Sequence, residues 1–394
     1  MNQPTTATGA STATTARGAL REALTTALRR LGRRPTTGFI FCSPTLSLQD
    51  VLAMAAELQP DAAWLGCTTA GQFTEEGLVS SGLVVMLMAS TEIEQELRFW
   101  AGPTGGTEAI PDLCSGLRDR TRAAREHGRG MATTVALVDG LSGDGERLVE
   151  RVYSELAGNG EIVGGAAGDD GKFVRTLVGA GTRVSSGGAA LLHVFSSRRW
   201  GVGVDHGLQP ATAVMRVTRA RGNVVYEIDG RPAFDVYRDY ARRKGVDLKP
   251  EEAGPFFINN ELGLVLFNEL KKARAPLSSE GGALTCAAEV PQGAGVCILD
   301  GSRGDLLAAA ERAAREASER LGRQRAGGIL LFDCICRGTI LGEDFGREID
   351  AVRSVFPGVP IAGFLTYGEI ARYSGRLDGW HNTTAVVTAI PAGG

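Results

Sequence analysis

Apolar residues in this chain fall into two recurring patterns, and their alternation predicts most of its elements. Short apolar runs bounded by glycine or polar residues, Phe39-Ile40-Phe41, Ala63-Trp64-Leu65 and residues 83–89, predict buried strands. Leu20, Leu24, Leu28 and Leu31 recur at helical spacing and predict an amphipathic helix over 18–32, stopped by Gly32 and Pro35. Ser47 is placed to cap a second helix over 48–58. A strand–helix–strand order of this kind predicts two parallel strands joined by a right-handed crossover. Ile93, Leu97 and Phe99 then alternate ahead of a turn at Pro103, and a helix follows over about 108–126.

This order occurs three times. GFIFCSP, SLQDVLAMAAEL, AAWLGCTTAGQF and SSGLVVMLMAS form the first copy. TTVALVDG, GERLVERVYSEL, EIVGGAAGDDG and SSGGAALLHVFS form the second, and GGILLFDC, FGREIDAVRSVF, PIAGFLTYGEI and NTTAVVTAI the third. Each reads strand, helix, strand ending in glycine, polar loop, strand, with Gly66, Gly164-Gly165 and Gly363 at equivalent points. A unit this long and irregular predicts duplication within a globular protein, not a solenoid. In the third copy the strand is expected to break at Gly363, leaving Tyr367, Glu369, Tyr373, Trp380, His381 and Asn382 in a polar, aromatic pocket wall.

Between the second and third copies the chain turns β-rich, with turns at Gly222-Asn223 and Asp229-Gly230 and a helix over 232–243. Strands are expected near 256–267 and 284–290 and at GVCILD, then a strong helix through DLLAAAERAAREASERL, with Glu311/Arg315 and Glu316/Arg320 as i,i+4 pairs. The charged, Pro/Gly-punctuated segment 244–256 is the expected domain boundary. The fold class is α/β: two domains, 17–243 and 244–394, built from repeated strand-helix-strand units with mixed sheets.

Composition narrows the function. Forty-two basic and 45 acidic residues leave a net charge of −3, so no global field directs the protein to nucleic acid or an anionic membrane. The seven cysteines are odd in number, scattered and mostly within apolar runs, which suits reduced thiols in the cytoplasm. No apolar run has the length of a membrane span. Residues 1–16, rich in Thr and Ala, read as a disordered tail.

Several segments together resemble the FIST family: LGCTTAGQF, IVGGAAGDD, VGVDHGLQP followed by VTRARGNVVYEIDGRPAFDVY, CICRG, and AGFLTYGEI with HNTT. The resemblance spans roughly residues 38–390 in the family's order and implies an N-terminal and a C-terminal FIST domain. It implies a cytosolic sensory protein of bacterial signal transduction that binds a small molecule, with amino acids proposed as ligands. Some members resemble haem-containing nitric-oxide sensors that work with histidine kinases or cyclic-di-GMP enzymes. With no kinase, cyclase, receptor or F-box segment in the sequence, signalling is expected to pass through contact with a separate partner protein.

Two pockets follow from placing ligand sites at strand C-terminal ends. The C-terminal one comprises Cys334, Arg337, Tyr367, Glu369, His381 and Asn382; the N-terminal one Gly66, Cys67, Thr68, Gly164, Gly165 and His206. Arg337 could clamp a carboxylate and Glu369 accept an amine, which suits an amino-acid zwitterion; alternatively the two pair with each other. On a strand, Cys334 and Cys336 would point to one face. If haem binds, His206 or His381 is the axial-ligand candidate, whereas His127 reads as exposed and His193 as a core residue. Asp139, Asp169 and Asp170 could hold magnesium or serve as acid and base in a hydrolase or transferase, though carboxylates that cap turns look the same. GNGEIVGGAAGDDGK lacks the spacing of a phosphate-binding loop, and neither a dinucleotide fingerprint nor a nucleophile elbow appears.

Overall fold

The computed structural model describes residues 5–102, 113–143, 145–156, 160–266, 269–373 and 379–393. Parts of the expected pattern lie outside them: 1–4 of the expected tail, 103–112 with the start of the helix about 108–126, 157–159 at the start of the Gly-rich stretch, Phe267 at the end of the strand expected near 256–267, and 374–378 in the last polar stretch.

The threefold repetition is real, and each copy is longer than the sequence suggested. A repeat runs edge strand, helix, strand, helix, strand, hairpin, strand. The first comprises Thr6–Ser11, Ala16–Leu31, Thr37–Cys42, Leu48–Leu58, Ala63–Thr68, the hairpin Gln72–Thr74/Gly77–Val79 and Leu83–Met88. The second comprises Ile93–Trp100, Leu117–Glu126, Met131–Val138, Gly145–Glu155, Gly160–Ala166, the hairpin Val178–Ala180/Arg183–Ser185 and Ala189–Ser196. The third comprises Gly201–Asp205, Arg303–Leu321, Ala326–Cys334, Gly346–Val355, Ile361–Thr366, the hairpin Glu369–Arg372/Trp380–His381 and Ala385–Pro391.

Each repeat builds one mixed sheet in the same order: edge strand, closing strand, first strand, second strand, then a hairpin that belongs to another repeat. The first repeat's hairpin pairs with Ile361–Thr366 of the third. The second's pairs with Ala63–Thr68 of the first, and the third's with Gly160–Ala166 of the second. The exchange is cyclic.

Alternation along the strands explains the layering. Phe39 and Phe41, Val135 and Leu137, and Leu330 and Phe332 point inward to one core shared by all three sheets. There Phe364 packs against Phe41 at 4.8 Å and Phe332 at 5.7 Å between ring centroids. Ile40, Ala136 and Leu331 point outward, each under its own repeat's helices. Strands covered on both faces read as continuous apolar runs, which is how the sequence presents them.

The equivalent glycines are set by this packing. Gly66, Gly164 and Gly363 stand opposite Ile40, Ala136 and Leu331 in the parallel ladders. A Cβ on Gly363 would come 2.0 Å from the Leu331 carbonyl oxygen, and one on Gly164 1.8 Å from that of Ala136. Gly363→Ala is therefore expected to force adjacent strands apart and cost at least about 2 kcal/mol, read as a lowered unfolding midpoint.

Residues 1–16 are not a tail throughout: Thr6–Ser11 is a buried strand paired with Leu83–Met88. Its threonines suit a strand, and the small residues that mimic a disordered composition let it lie close under Ala16–Leu31. Ile361–Thr366 continues through Gly363 and does not break there.

Between Gly201–Asp205 and Arg303–Leu321 the third repeat carries an inserted lobe, a twisted sheet with the helices Ala233–Arg243 and Gly254–Asn259. Residues 256–259, expected as strand, are helical, and the strand begins at Leu262. Leu248, Ala253 and Phe257 belong to the lobe's core with Val217, Phe234 and Tyr237, so the segment 244–256 lies inside a packed unit. Glu311 pairs with Arg315 as expected, whereas Glu316 accepts from the Tyr373 hydroxyl at 2.7 Å and Arg320 lies 3.6 Å from Glu161. No helix among the described residues is long and apolar enough to cross a membrane.

Candidate functional site

The ends of the second strands of the three repeats meet and bond to one another. Ala70 N–H donates to the Leu365 carbonyl at 3.2 Å, and Leu365 N–H to that of Gly71 at 2.7 Å. Tyr367 N–H donates to Ala166 O at 3.1 Å, and Ala166 N–H to Gly368 O at 2.7 Å. Gly168 N–H donates to Thr68 O at 3.0 Å, and Asp170 N–H to Thr69 O at 3.1 Å. Strand ends in an open sheet leave backbone groups for a ligand; here the repeats take up these groups themselves.

The expected N-terminal pocket is accordingly interior structure. Gly66 and Gly164 are ladder positions, Gly165 pairs with Glu369, and Cys67 is fully buried in the shared core. The Thr68 hydroxyl accepts the Leu177 N–H at 3.0 Å.

The expected C-terminal pocket is also closed, apart from Tyr367. Arg337, wholly buried, donates through Nε to Glu348 at 2.8 Å and through Nη2 to Glu348 and to Leu306 O at 2.9 Å. Its Nη1 reaches His206 O at 3.1 Å and Thr383 O at 3.4 Å, and its Nε lies 3.0 Å from Asp333. It is neither a ligand clamp nor the partner of Glu369. Glu369 accepts the Thr366 hydroxyl at 2.5 Å and the Thr384 N–H at 3.1 Å, and burial, then the neighbouring Cys334, pushes its carboxyl well up. Cys334 closes its strand and is buried, while Cys336 sits in the helix Ile335–Leu341, so the two do not share a strand face. Asn382 is buried, and its Oδ1 has no hydrogen-bond partner among the described residues.

The histidines do not fit a haem ligand. Leu208 N–H donates to His206 Nδ1 at 3.0 Å, closing a turn. His381 is buried on the strand beside Glu369, its Nε2 3.1 Å from the Ala371 carbonyl. The aspartates cap turns: Asp139 accepts from Leu141 N–H, Gly187 N–H and the Thr176 hydroxyl. Asp169 accepts the N–H groups of Phe173, Val174 and Arg175 at 2.7–2.8 Å and the Tyr367 hydroxyl.

One opening in the surface lies elsewhere. A cleft of about 760 Å³ runs between the helix Gly145–Glu155 and the lobe's turns at Gly222-Asn223 and Ala287–Glu289, with Tyr367 and Trp380 forming the wall contributed by the third repeat. Its charged rim comprises Glu146, Arg147, Glu150, Arg151 and Glu289. No histidine is among its lining residues. The Trp380 ring is gripped by glycines: a Cβ on Gly145 would come 2.0 Å from it, and one on Gly368 2.4 Å. Its Nε1–H is buried and has no partner among the described residues. Arg274, almost wholly buried, ties the parts together, donating to Glu146 at 3.1 Å, Glu289 O at 3.0 Å and Trp380 O at 3.3 Å. Lys272 also reaches Glu146, at 2.9 Å.

Sequence reasoning missed most of this cleft. Arg147, Glu150, Arg151 and Ser154 stand at i, i+3, i+4 and i+7, a polar helix stripe whose spacing was legible. Arg274 gave no comparable signal, because its partners come from three distant segments.

Family models of the FIST N domain and the FIST C domain match residues 36–231 and 233–372. The chain belongs to the FIST family. FIST domains are associated with sensing in signal transduction. The two models meet within the inserted lobe, so the FIST C match begins ahead of the third repeat's first inner strand. This FIST protein is 26% identical to an uncharacterized protein of Mycobacterium tuberculosis over 96% of this chain and 97% of that one. An uncharacterized Mycobacterium bovis protein is 27% identical over 46% of this chain and 48% of its own. An uncharacterized protein of Methanocaldococcus jannaschii is 36% identical over 76 residues, 19% of this chain and 15% of its own.

Proposed function

We propose that this FIST protein is a cytoplasmic sensor that binds an amino acid in the cleft between its second repeat and the inserted lobe. It passes occupancy to a separate signalling protein such as a histidine kinase. The observation that carries the reading is a cleft with both charge signs on its rim and the aromatic side chains of Tyr367 and Trp380 in its wall. Arg147 and Arg151 supply guanidinium groups for a carboxylate, as Arg337 cannot. Glu150 and Glu289 offer carboxylates to an ammonium group. The cleft also separates two bodies bridged by Arg274 and Lys272, so a ligand that contacts both favours one relative position of them.

The test is thermal unfolding with each L-amino acid in turn. A ligand at about a hundred times its dissociation constant should stabilise the protein by roughly 2.7 kcal/mol. The Arg147→Ala/Arg151→Ala variant is expected to weaken that ligand at least tenfold, and Trp380→Phe to weaken it less. Arg353→Ala, which removes an exposed ion pair with Asp350, should bind as the wild type does. If no amino acid raises the midpoint, or the double arginine variant binds normally, the proposal fails.

A further inference from the structure

Tyr367 has two faces of contact. Its side chain lines the cleft, and on the other side it holds the loop that follows the second repeat's inner strand. The Tyr367 hydroxyl donates to Asp169 Oδ1 and accepts the N–H of Asp169 at 3.2 Å and of Gly171 at 3.0 Å. Its ring stacks on Phe173, centroids 4.3 Å apart and planes at 17°.

Apart from Tyr367, the loop's first half is tied by Asp170 N–H to Thr69 O at 3.1 Å, Lys172 N–H to Asp169 O at 3.3 Å and the Ser43 hydroxyl to Asp170 at 3.5 Å. The amides of Phe173, Val174 and Arg175 are bonded to the Asp169 carboxylate that Tyr367 orients. Asp170 and Phe173 occupy the left-handed region, at φ 57° and 54°, where a bulky side chain stays only if its surroundings hold it. Residues Gly171 to Arg175 are exposed, Val174 at 79%. The tip thus presents Phe173 and Val174 between two cations, Lys172 and Arg175, on a strained backbone.

We propose that Tyr367 is a transmitter: a ligand that displaces or fixes its ring in the cleft switches the strained loop Asp169–Arg175 between a clasped and a released conformation. The proposal rests on the cleft being the ligand site. Coupling through one side chain needs only that the loop's two conformations differ in their contact with Tyr367, and the hydroxyl's three bonds and the ring stack supply that difference.

Residue-resolved hydrogen exchange tests it without a ligand. Tyr367→Phe keeps the ring and removes the hydroxyl. Exchange at the amides of Gly171, Phe173, Val174 and Arg175 is expected to rise about tenfold, with exchange in the strand Met131–Val138 unchanged. Phe173→Ala, at an exposed tip where folding is not at stake, should speed exchange at Gly171, the amide that Tyr367 holds directly. Unchanged exchange in either variant overturns the proposal. The ligand arm uses whichever L-amino acid stabilises the wild type: it should alter exchange at these four amides in the wild type and not in Tyr367→Phe. An equal response in both overturns the transmitter role. If no amino acid binds, the assignment of the cleft's ligand fails by that result alone, and the ligand-free comparison still decides whether Tyr367 governs the loop.

Discussion

Arg337→Ala is expected to leave the protein only marginally folded, losing about 3–5 kcal/mol of unfolding free energy in urea. The guanidinium bonds to Glu348 and to the carbonyls of Leu306, His206 and Thr383, with Asp333 alongside, and none of these side chains is exposed. Removing it leaves Glu348 buried with no counter-charge, Asp333 without its neighbouring cation and three carbonyls without this donor. The cost is that of isolated buried charge, larger than what the pair contributes over an apolar substitute. Arg337→Met combined with Glu348→Gln should therefore recover part of the loss, whereas independent sites would add. Affinity per folded molecule for any ligand of the cleft should remain at the wild-type value, because Arg337 is not among the cleft's lining residues.

Raising the pH should weaken the fold through the same interior. Burial lifts the Glu261 carboxyl from an ordinary 4.5 to about 8, with the Thr383 hydroxyl, Arg274 and Arg337 only partly opposing it. Burial also lifts Glu161 to about 7 against the pull of Arg199 and Arg320, and pushes Asp333 well up, with Glu348 adding to the shift. A raised folded pKa means that the folded chain holds the proton more tightly than the unfolded one. The stability this confers is complete below the ordinary carboxylate range and is lost as pH climbs through the folded values. Unfolding free energy is expected to fall between about pH 5 and 8, with each such group contributing roughly 1.4 kcal/mol per pH unit while it titrates. Glu261→Gln should flatten the curve by one group's share. A curve that rises over that interval in the wild type would mean that these carboxylates are ionised and paired in the folded state.

The sequence revealed the repeat because its inner strands are buried on both faces, and so read as apolar runs at fixed distances from Gly66, Gly164 and Gly363. The helices 16–31, 48–58 and 303–321 were equally legible, since each keeps one apolar face. Two things were not. Thr6–Ser11 carries no apolar run, because a strand of threonine and small residues is buried by its neighbours' close approach and not by its own bulk. The exchange of hairpins leaves no trace in a strand pattern either, since a hairpin's sequence is the same whichever sheet it joins. That second blindness bears on the two expected pockets. Glycine-terminated strand ends looked open while the partner repeats that close them were unseen, and Arg337 and Glu369 looked like ligand groups while Glu348 and Thr384 were not yet beside them. Of the residues expected in those pockets, Tyr367 also lines the cleft.

The cyclic loan of hairpins has a consequence for how such a chain can arise. A polypeptide of one repeat could not complete its own sheet; it would leave the second strand bare and its hairpin without a ladder. Three copies would satisfy one another by passing each hairpin to the next, a head-to-tail contact that closes after three steps. The molecule thus has the connectivity that a head-to-tail swapped trimer would have if its three copies were joined in one chain. Once fused, the copies are free to differ, so one can acquire a lobe, and a cleft against its neighbour, without disturbing the closure.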